Sequence, residues 1–312
     1  MAEQYLRKVS VLIGEASKVR DVSDLHCVFS VEAMTINTPK IAYLRIYNLA
    51  PETLKEIIDE GTQLTIAAGY RENFSRIFTG QITQSRIGRE NGTDTYLDIT
   101  AADGDKAFNF TLLNLSVSSG TDIVTRLQML ANAAGMKLGV VQAPPDGAKL
   151  SRGRSYFGLL RDHLTAEAAS IGANWSFDNG TIHVVNVGGY LPGEIPKITP
   201  SSGMIGTPEQ LDIGVQVRCL LNPHLQQNML VKLEGVIQQH QLSLNIQGLA
   251  SELGNYVGAL SADGIYKVLY VNHFGDTRGQ DWYSDFVGYA RPAVEGALQQ
   301  QLDYLPTLSG TY

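Results

Sequence analysis

Asp94 and Asp98, with Tyr96 between them in GRENGTDTYLDITA, are the residues whose types and spacing come nearest to a reactive site. In a strand, residues two apart share a face, so the three side chains stand in one row. Two carboxyl groups flanking a bond are the minimum for glycoside hydrolysis, one as acid and one as base or nucleophile. The same row returns as Asp281, Tyr283 and Asp285 in GDTRGQDWYSDFVG. A row written twice reads as a structural or interface element rather than a catalytic pair.

Elsewhere the reactive residue types lack the spacing that chemistry needs. His26, His163, His183, His224, His240 and His273 include no pair at helical metal-binding spacing and none beside a Cys-x-x-Cys. Cys27 and Cys219 lie far apart in apolar runs, HCVFSV and VQVRCLL, which predicts buried free thiols. The SSG and PSSG stretches do not form a nucleophile elbow. GRENG lacks the Lys-Ser/Thr of a phosphate loop and leads into a strand instead of a helix. Glu167 falls mid-helix, where a glutamate is ordinarily solvated, and Trp175 and Trp282 fit either a core or an interface. The reading is therefore of a non-enzyme with no catalytic, cofactor-binding or metal residues.

With 312 residues, 44% hydrophobic and 18% charged, the chain has the makings of a soluble globular protein of two or three domains. No run offers the roughly 20 apolar residues of a membrane span, and the N-terminal stretch is not a signal peptide, so cytoplasmic synthesis is expected. The net charge of -7 argues against a wrapping grip on nucleic acid, which needs Lys and Arg against the phosphates, but not against DNA passing by.

The elements that must position the repeated row follow from periodicity. Residues 1–108 alternate apolar and polar in strand-like runs, interrupted by one helix from Pro51 to Gly61. Residues 109–187 change character. One helix places Ile123, Val124, Leu127, Leu130, Ala131 and Ala134 on a face and stops at Gly135, and a second carries Phe157, Leu160, Leu164, Ala168 and Ile171. A hairpin then turns at Asp178-Asn179-Gly180. The Gly-, Pro- and Ser-rich residues 188–210 read as a linker, and 211–292 return to strands, with a long irregular loop over 242–264. Residues 293–312 are a tail with helical spacing in AVEGALQQQLDYL.

The hairpins echo each other without a gap. Gly88, Gly92, Asp94, Tyr96 and Asp98 map onto Gly275, Gly279, Asp281, Tyr283 and Asp285, and Ile87 and Ile99 meet Phe274 and Phe286. Such self-similarity marks a repeated unit. Convergence on a good hairpin, with Gly for the turn and Tyr for the strand, is the other explanation. The order expected is barrel (1–108), α+β insert (109–187), linker (188–210), barrel (211–292), tail (293–312).

Whole phrases carry a family resemblance. GMIGTPEQLDIGVQVRCLLNPHL, GIYKVLYVNHFGDTRGQDWYSDF, LRIYNLAPETLKEI and ENGTDTYLDITAADGD resemble the baseplate hub proteins of contractile-tailed bacteriophages. The resemblance implies two tail-tube-like β-barrel domains flanking a small α+β domain in a virion structural protein. Three chains would then form a homotrimer that joins the six-fold tail tube to a three-fold membrane-piercing spike and encloses part of the DNA ejection channel. Its implied partners are other copies of itself, the spike protein, a tail tube protein or tube initiator, neighbouring baseplate proteins, and DNA in transit. Asp94, Asp98, Asp281 and Asp285 are candidates for an acidic lumen. The alternative is a peptidoglycan-binding tail-tip module, or a cell-wall hydrolase, on the same scaffold.

Overall fold

The computed structural model describes residues 6–15, 18–211, 214–235, 261 and 264–290. The long loop expected over 242–264 and the tail 293–312 lie largely or wholly outside them. The first unit comprises β1 (Arg7–Ile13), β2 (Arg20–Asp21), β3 (Cys27–Met34), β4 (Ile41–Tyr47), helix α1 (Pro51–Glu60), β5 (Gln63–Tyr70), β6 (Phe74–Arg89) and β7 (Thr95–Ala102). Alternation decides which faces are buried. Along β3 the side chains of Cys27, Phe29, Val31 and Ala33 point inward, and their neighbours Val28, Ser30 and Glu32 do not. Phe29, Leu44, Ile46, Leu64, Ile66, Phe78, Leu97 and Ile99 form the first core.

An α+β body follows: β8 (Leu112–Val117), α2 (Ile123–Ala133), β9 (Lys137–Val141), β10 (Arg154–Leu159), α3 (Leu160–Ala169), β11 (Ala173–Asp178) and β12 (Thr181–Asn186). Asp122 caps α2 by accepting a hydrogen bond from the Thr125 backbone N–H at 2.8 Å. Two expectations are corrected here. Phe157 belongs to β10, not to the helix, and is 82% exposed. Glu167 is fully buried instead of solvated. Its carboxylate accepts from Arg126 at 2.9 Å, Arg154 at 2.8 Å and the Tyr156 hydroxyl at 2.8 Å, tying α2, β10 and α3 together.

The second unit comprises β13 (Lys197–Ile198), β14 (Met204–Leu211), β15 (Gly214–Leu220), β16 (Leu230–Leu233), β17 (Ile265–Asp276) and β18 (Trp282–Ala290). Residues 188–210, expected as a linker, thus carry two strands, and β14 pairs with β15. Cys27 and Cys219 are free and buried, and burial pushes both thiols up to about 12.

Both units contribute to one sheet, ordered β14-β15-β18-β17-β3-β4-β7-β6-β5-β1-β2, with β16 on β17 and β13 on β16. The units meet where β17 pairs antiparallel with β3, Tyr270 opposite Met34 through Asp276 opposite Val28. Side chains cross this seam: Trp282 packs edge-on against Phe29 in the first core, and Ala33 enters the second. The α+β body lies across it. Its β11–β12 hairpin contacts the first unit through Lys40 with Asp178, Asn37 with the Trp175 N–H at 2.9 Å, and Asp103 with the Gly180 N–H at 3.0 Å. It reaches the second unit through the Gln227 amide on the Phe177 carbonyl at 3.2 Å.

Buried polar groups along the seam set the response to pH. His273 donates from Nε2 to the Leu225 carbonyl at 3.2 Å, since that oxygen can only accept, and its Nδ1 accepts from the Ser284 hydroxyl at 2.8 Å. Burial pushes its ring down to about 3 from an ordinary 6.5. A depressed folded value favours the folded state above 6.5 and withdraws that support as pH falls toward 3. In urea titrations at several pH values, His273→Gln is expected to be less stable at pH 7 yet to lose less between about pH 6.5 and 4 than the parent. Glu167→Gln, which strips the buried arginine of its counter-charge, should cost about 3–5 kcal/mol in the same assay, with Trp175 fluorescence reporting the α+β body.

Candidate functional site

The two echoed hairpins are β6–β7 and β17–β18, and they hold the same place in their units: β3-β4-β7-β6 corresponds to β14-β15-β18-β17. On the second strand of each hairpin the match extends to the side chains. Asp98 accepts both Nε and an Nη of Arg45 at 2.7 and 2.9 Å, and the Arg45 guanidinium lies 4.0 Å from the centroid of the Tyr96 ring. Asp285 accepts the same two groups of Arg218 at 2.7 and 2.8 Å, and that guanidinium lies 4.2 Å from the Tyr283 centroid. Each arginine comes from the strand beside the hairpin: Arg45 sits opposite Asp98 on β4·β7, and Arg218 opposite Asp285 on β15·β18.

The first strands do not follow the gap-free alignment. Asp98 faces Arg86, whereas Asp285 faces Asn272, so Arg86 corresponds to Asn272 and Gly88 to Phe274. The bulges agree, since Thr83 and Leu269 are the residues left unpaired in each hairpin. The turn absorbs the difference, with residues 90–94 in the first hairpin against 276–281, one residue longer, in the second. Gly88 and Gly275 consequently face opposite sides of the sheet. A Cβ on Gly88 would strike the Tyr96 ring at 2.2 Å, and one on Gly275 would strike Phe29 at 2.3 Å.

Asp94 and Asp281 lie in the turns, apart from the rows. The Asn91 and Asn48 side chains donate to Asp94 and hold its carboxyl below the usual range. Gly92 is exposed in the first turn, and the Gly279 N–H donates to Asp276 at 2.8 Å in the second. The structure therefore brings Tyr96 with Asp98, and Tyr283 with Asp285, and sequence reasoning missed the arginines that complete both clusters. The available signal was the pair of strands YLRIY and VQVRC, each with an arginine between apolar residues.

The chemistry of these clusters is that of fixed ion pairs. Each carboxylate has both oxygens engaged and each guanidinium is raised in pKa by its carboxylate, which leaves no acid or base free to move a proton. Next to the first cluster an open groove of about 520 Å³ is lined by Ser30, Tyr43, Tyr47, Gln84, Thr100 and Phe274, a polar and aromatic surface. Among the described residues no group of three or more His, Cys, Asp or Glu side chains is placed to hold a metal ion.

Comparison with known proteins places this architecture. A family model described as baseplate hub gp41 matches residues 47–240. The prophage MuSo2 43 kDa tail protein from Shewanella oneidensis has a TM-score of 0.60 at 8% identity, over 92% of this chain and 98% of that one. The tail protein from Neisseria meningitidis MC58 has a TM-score of 0.58 at 10% identity, over 93% and 99%. The E. coli c3393 protein, described as a type VI secretion component structurally similar to the T4 tail proteins gp27 and gp5, has a TM-score of 0.53 at 9% identity, over 92% and 77%. No curated protein matches by sequence.

Half-exposed ion pairs contribute modestly once water screens them. Arg45→Met and Arg218→Met should each destabilise by about 0.5–1.5 kcal/mol in chemical denaturation, less in 1 M salt. The clusters stand four strand spacings apart, roughly 19 Å, so the double variant is expected to show the sum.

Proposed function

The chain belongs to the baseplate hub gp41 family, structural proteins of the phage tail, and from that premise we propose that it is the trimeric hub between tail tube and spike. The observation that supports the proposal is the duplication within one chain. Two units share a strand order, a bulge position and an Arg–Asp–Tyr cluster while lying side by side in one sheet. A three-fold ring of such chains presents each repeated surface six times, which is what an adaptor between a six-fold tube and a three-fold spike requires.

In this reading the two tube-like barrels follow residues 1–108 and 211–292, with β13 and β14 joining the second. The tube protein or tube initiator stacks on one end of the ring and the spike docks on the other. The α+β body of 109–187 holds the two units at a fixed angle and faces neighbouring baseplate proteins. DNA passes through the ring without being gripped. Asp98 and Asp285, two of the four carboxylates considered for an acidic lumen, are each matched by an arginine, so the clusters offer a passing polyanion a surface close to neutral.

Light scattering on the purified full chain tests the proposal. A mass three times that of the chain, persisting on dilution into the low micromolar range, is the expected result. A monomer at high concentration, both alone and with spike protein added, would refute it.

A further inference from the structure

Two Asn-Gly dipeptides occur in the sequence, Asn91-Gly92 and Asn179-Gly180, each in the turn of a hairpin. Their neighbours along the chain match, since an acidic residue precedes each and a threonine follows, in ENGT and DNGT. An asparagine before glycine is open to attack on its side-chain carbonyl by the next backbone nitrogen, because glycine has no Cβ to obstruct the approach. Local sequence gives the two sites the same intrinsic reactivity, and a difference between them comes from the fold.

The fold separates them. Asn91, Gly92 and Thr93 are exposed, and the Gly92 N–H has no hydrogen-bond partner among the described residues. The Asn91 side-chain oxygen accepts from the Thr93 N–H at 2.8 Å, the Thr93 hydroxyl at 2.9 Å and the Asp94 N–H at 2.8 Å. Those donors polarise the amide carbonyl and stand where negative charge develops as a nucleophile adds to it. The other turn is pinned. The Gly180 N–H donates to the Asp103 carboxylate at 3.0 Å, and the Gly180 carbonyl accepts from the Lys137 N–H at 3.2 Å. The Asn179 side-chain oxygen is buried with no donor among the described residues, so no group there stabilises charge on it.

We propose that Asn91 is a site of spontaneous deamidation and that Asp103 protects Asn179 from the same reaction. The Gly92 nitrogen loses its proton to solvent base and bonds to the Asn91 side-chain carbonyl carbon. The bond from that carbon to Nδ2 breaks, and the nitrogen takes up a proton from solvent and leaves as ammonia. Water then opens the five-membered imide at either carbonyl, leaving aspartate or isoaspartate at 91. The second hairpin already uses the acid form in this role. Asp276 accepts the Arg278 and Gly279 N–H groups, two and three residues on, at 2.9 and 2.8 Å, as Asn91 accepts those of Thr93 and Asp94. What changes is charge. Asn91 Nδ2 donates to Asp94 at 2.7 Å, and a carboxylate in its place faces Asp94 with like charge. A structural protein of a tail is not replaced once assembled, so the change accumulates with age.

Peptide mapping by mass spectrometry tests the assignment on the full chain aged in mildly alkaline buffer, with and without denaturing urea. Enzymatic methylation of isoaspartate in the digests counts the second product. In urea the two sites should convert at similar rates, as their matching neighbours require. In the folded chain Asn179 should slow by about tenfold or more, since a hydrogen bond to a charged acceptor must break first, while Asn91 keeps at least about a third of its unfolded rate. Gly92→Ala places its Cβ where nothing lies within 4 Å, at a φ outside the left-handed region, and should slow Asn91 about tenfold without altering Asn179. Equal protection of both sites in the folded chain, or conversion of Asn179 at the Asn91 rate, overturns the proposal. So does conversion of Asn91 unchanged by Gly92→Ala, which assigns the reaction to direct hydrolysis by water.

Discussion

The antiparallel pairing of β17 with β3 is the constraint on which the rest of the molecule depends. Without it the chain would be two small β units on a string, each with an open edge and an incomplete core. With it, Trp282 closes the first core and Ala33 the second, so neither unit is finished by its own residues. Tip and strand are anchored as well: the Cys27 N–H donates to the Thr277 hydroxyl at 2.9 Å, and His26 contacts Asp276 at 2.9 Å. The α+β body then acts as a brace, because its hairpin bonds to Lys40 and Asp103 on one side of the seam and Gln227 on the other.

Much of this was legible in the sequence wherever the signal was local. Alternation located the strands of the first unit, Pro51 and Gly61 bounded α1, and Asn179-Gly180 marked the hairpin turn. What escaped was set by contacts between distant residues. Phe157 stands at helical spacing from Leu160 and Leu164, and only its pairing with Asn114 makes it a strand residue. Residues 204–210 contain glycine and proline and read as linker until β15 pairs with them. Residue type alone cannot show Glu167 as buried, because its partners Arg126, Arg154 and Tyr156 come from two other elements, α2 and β10.

The candidate site was half legible for the same reason. Tyr96 with Asp98 and Tyr283 with Asp285 repeat along single strands, where periodicity sees them. Their arginines lie on neighbouring strands and stay hidden until the sheet is assembled. The gap-free alignment also misplaced one strand of each hairpin, since an extra turn residue is invisible to matching letters and reverses the side to which the preceding strand points.

The seam has a further consequence for how the chain comes to be folded. Cys27 and Thr277 are 250 residues apart in sequence, so the contact that completes both cores is among the least local in the molecule. At ribosomal rates of about 5–20 residues per second, β3 waits on the order of tens of seconds for its partner to be made. Through that interval the newborn first unit carries a bare strand edge and an unfilled pocket beside Phe29, the features that draw other chains into mispairing. The joining of the two repeats is for this reason a late step, and its non-local pairing makes it intrinsically slow.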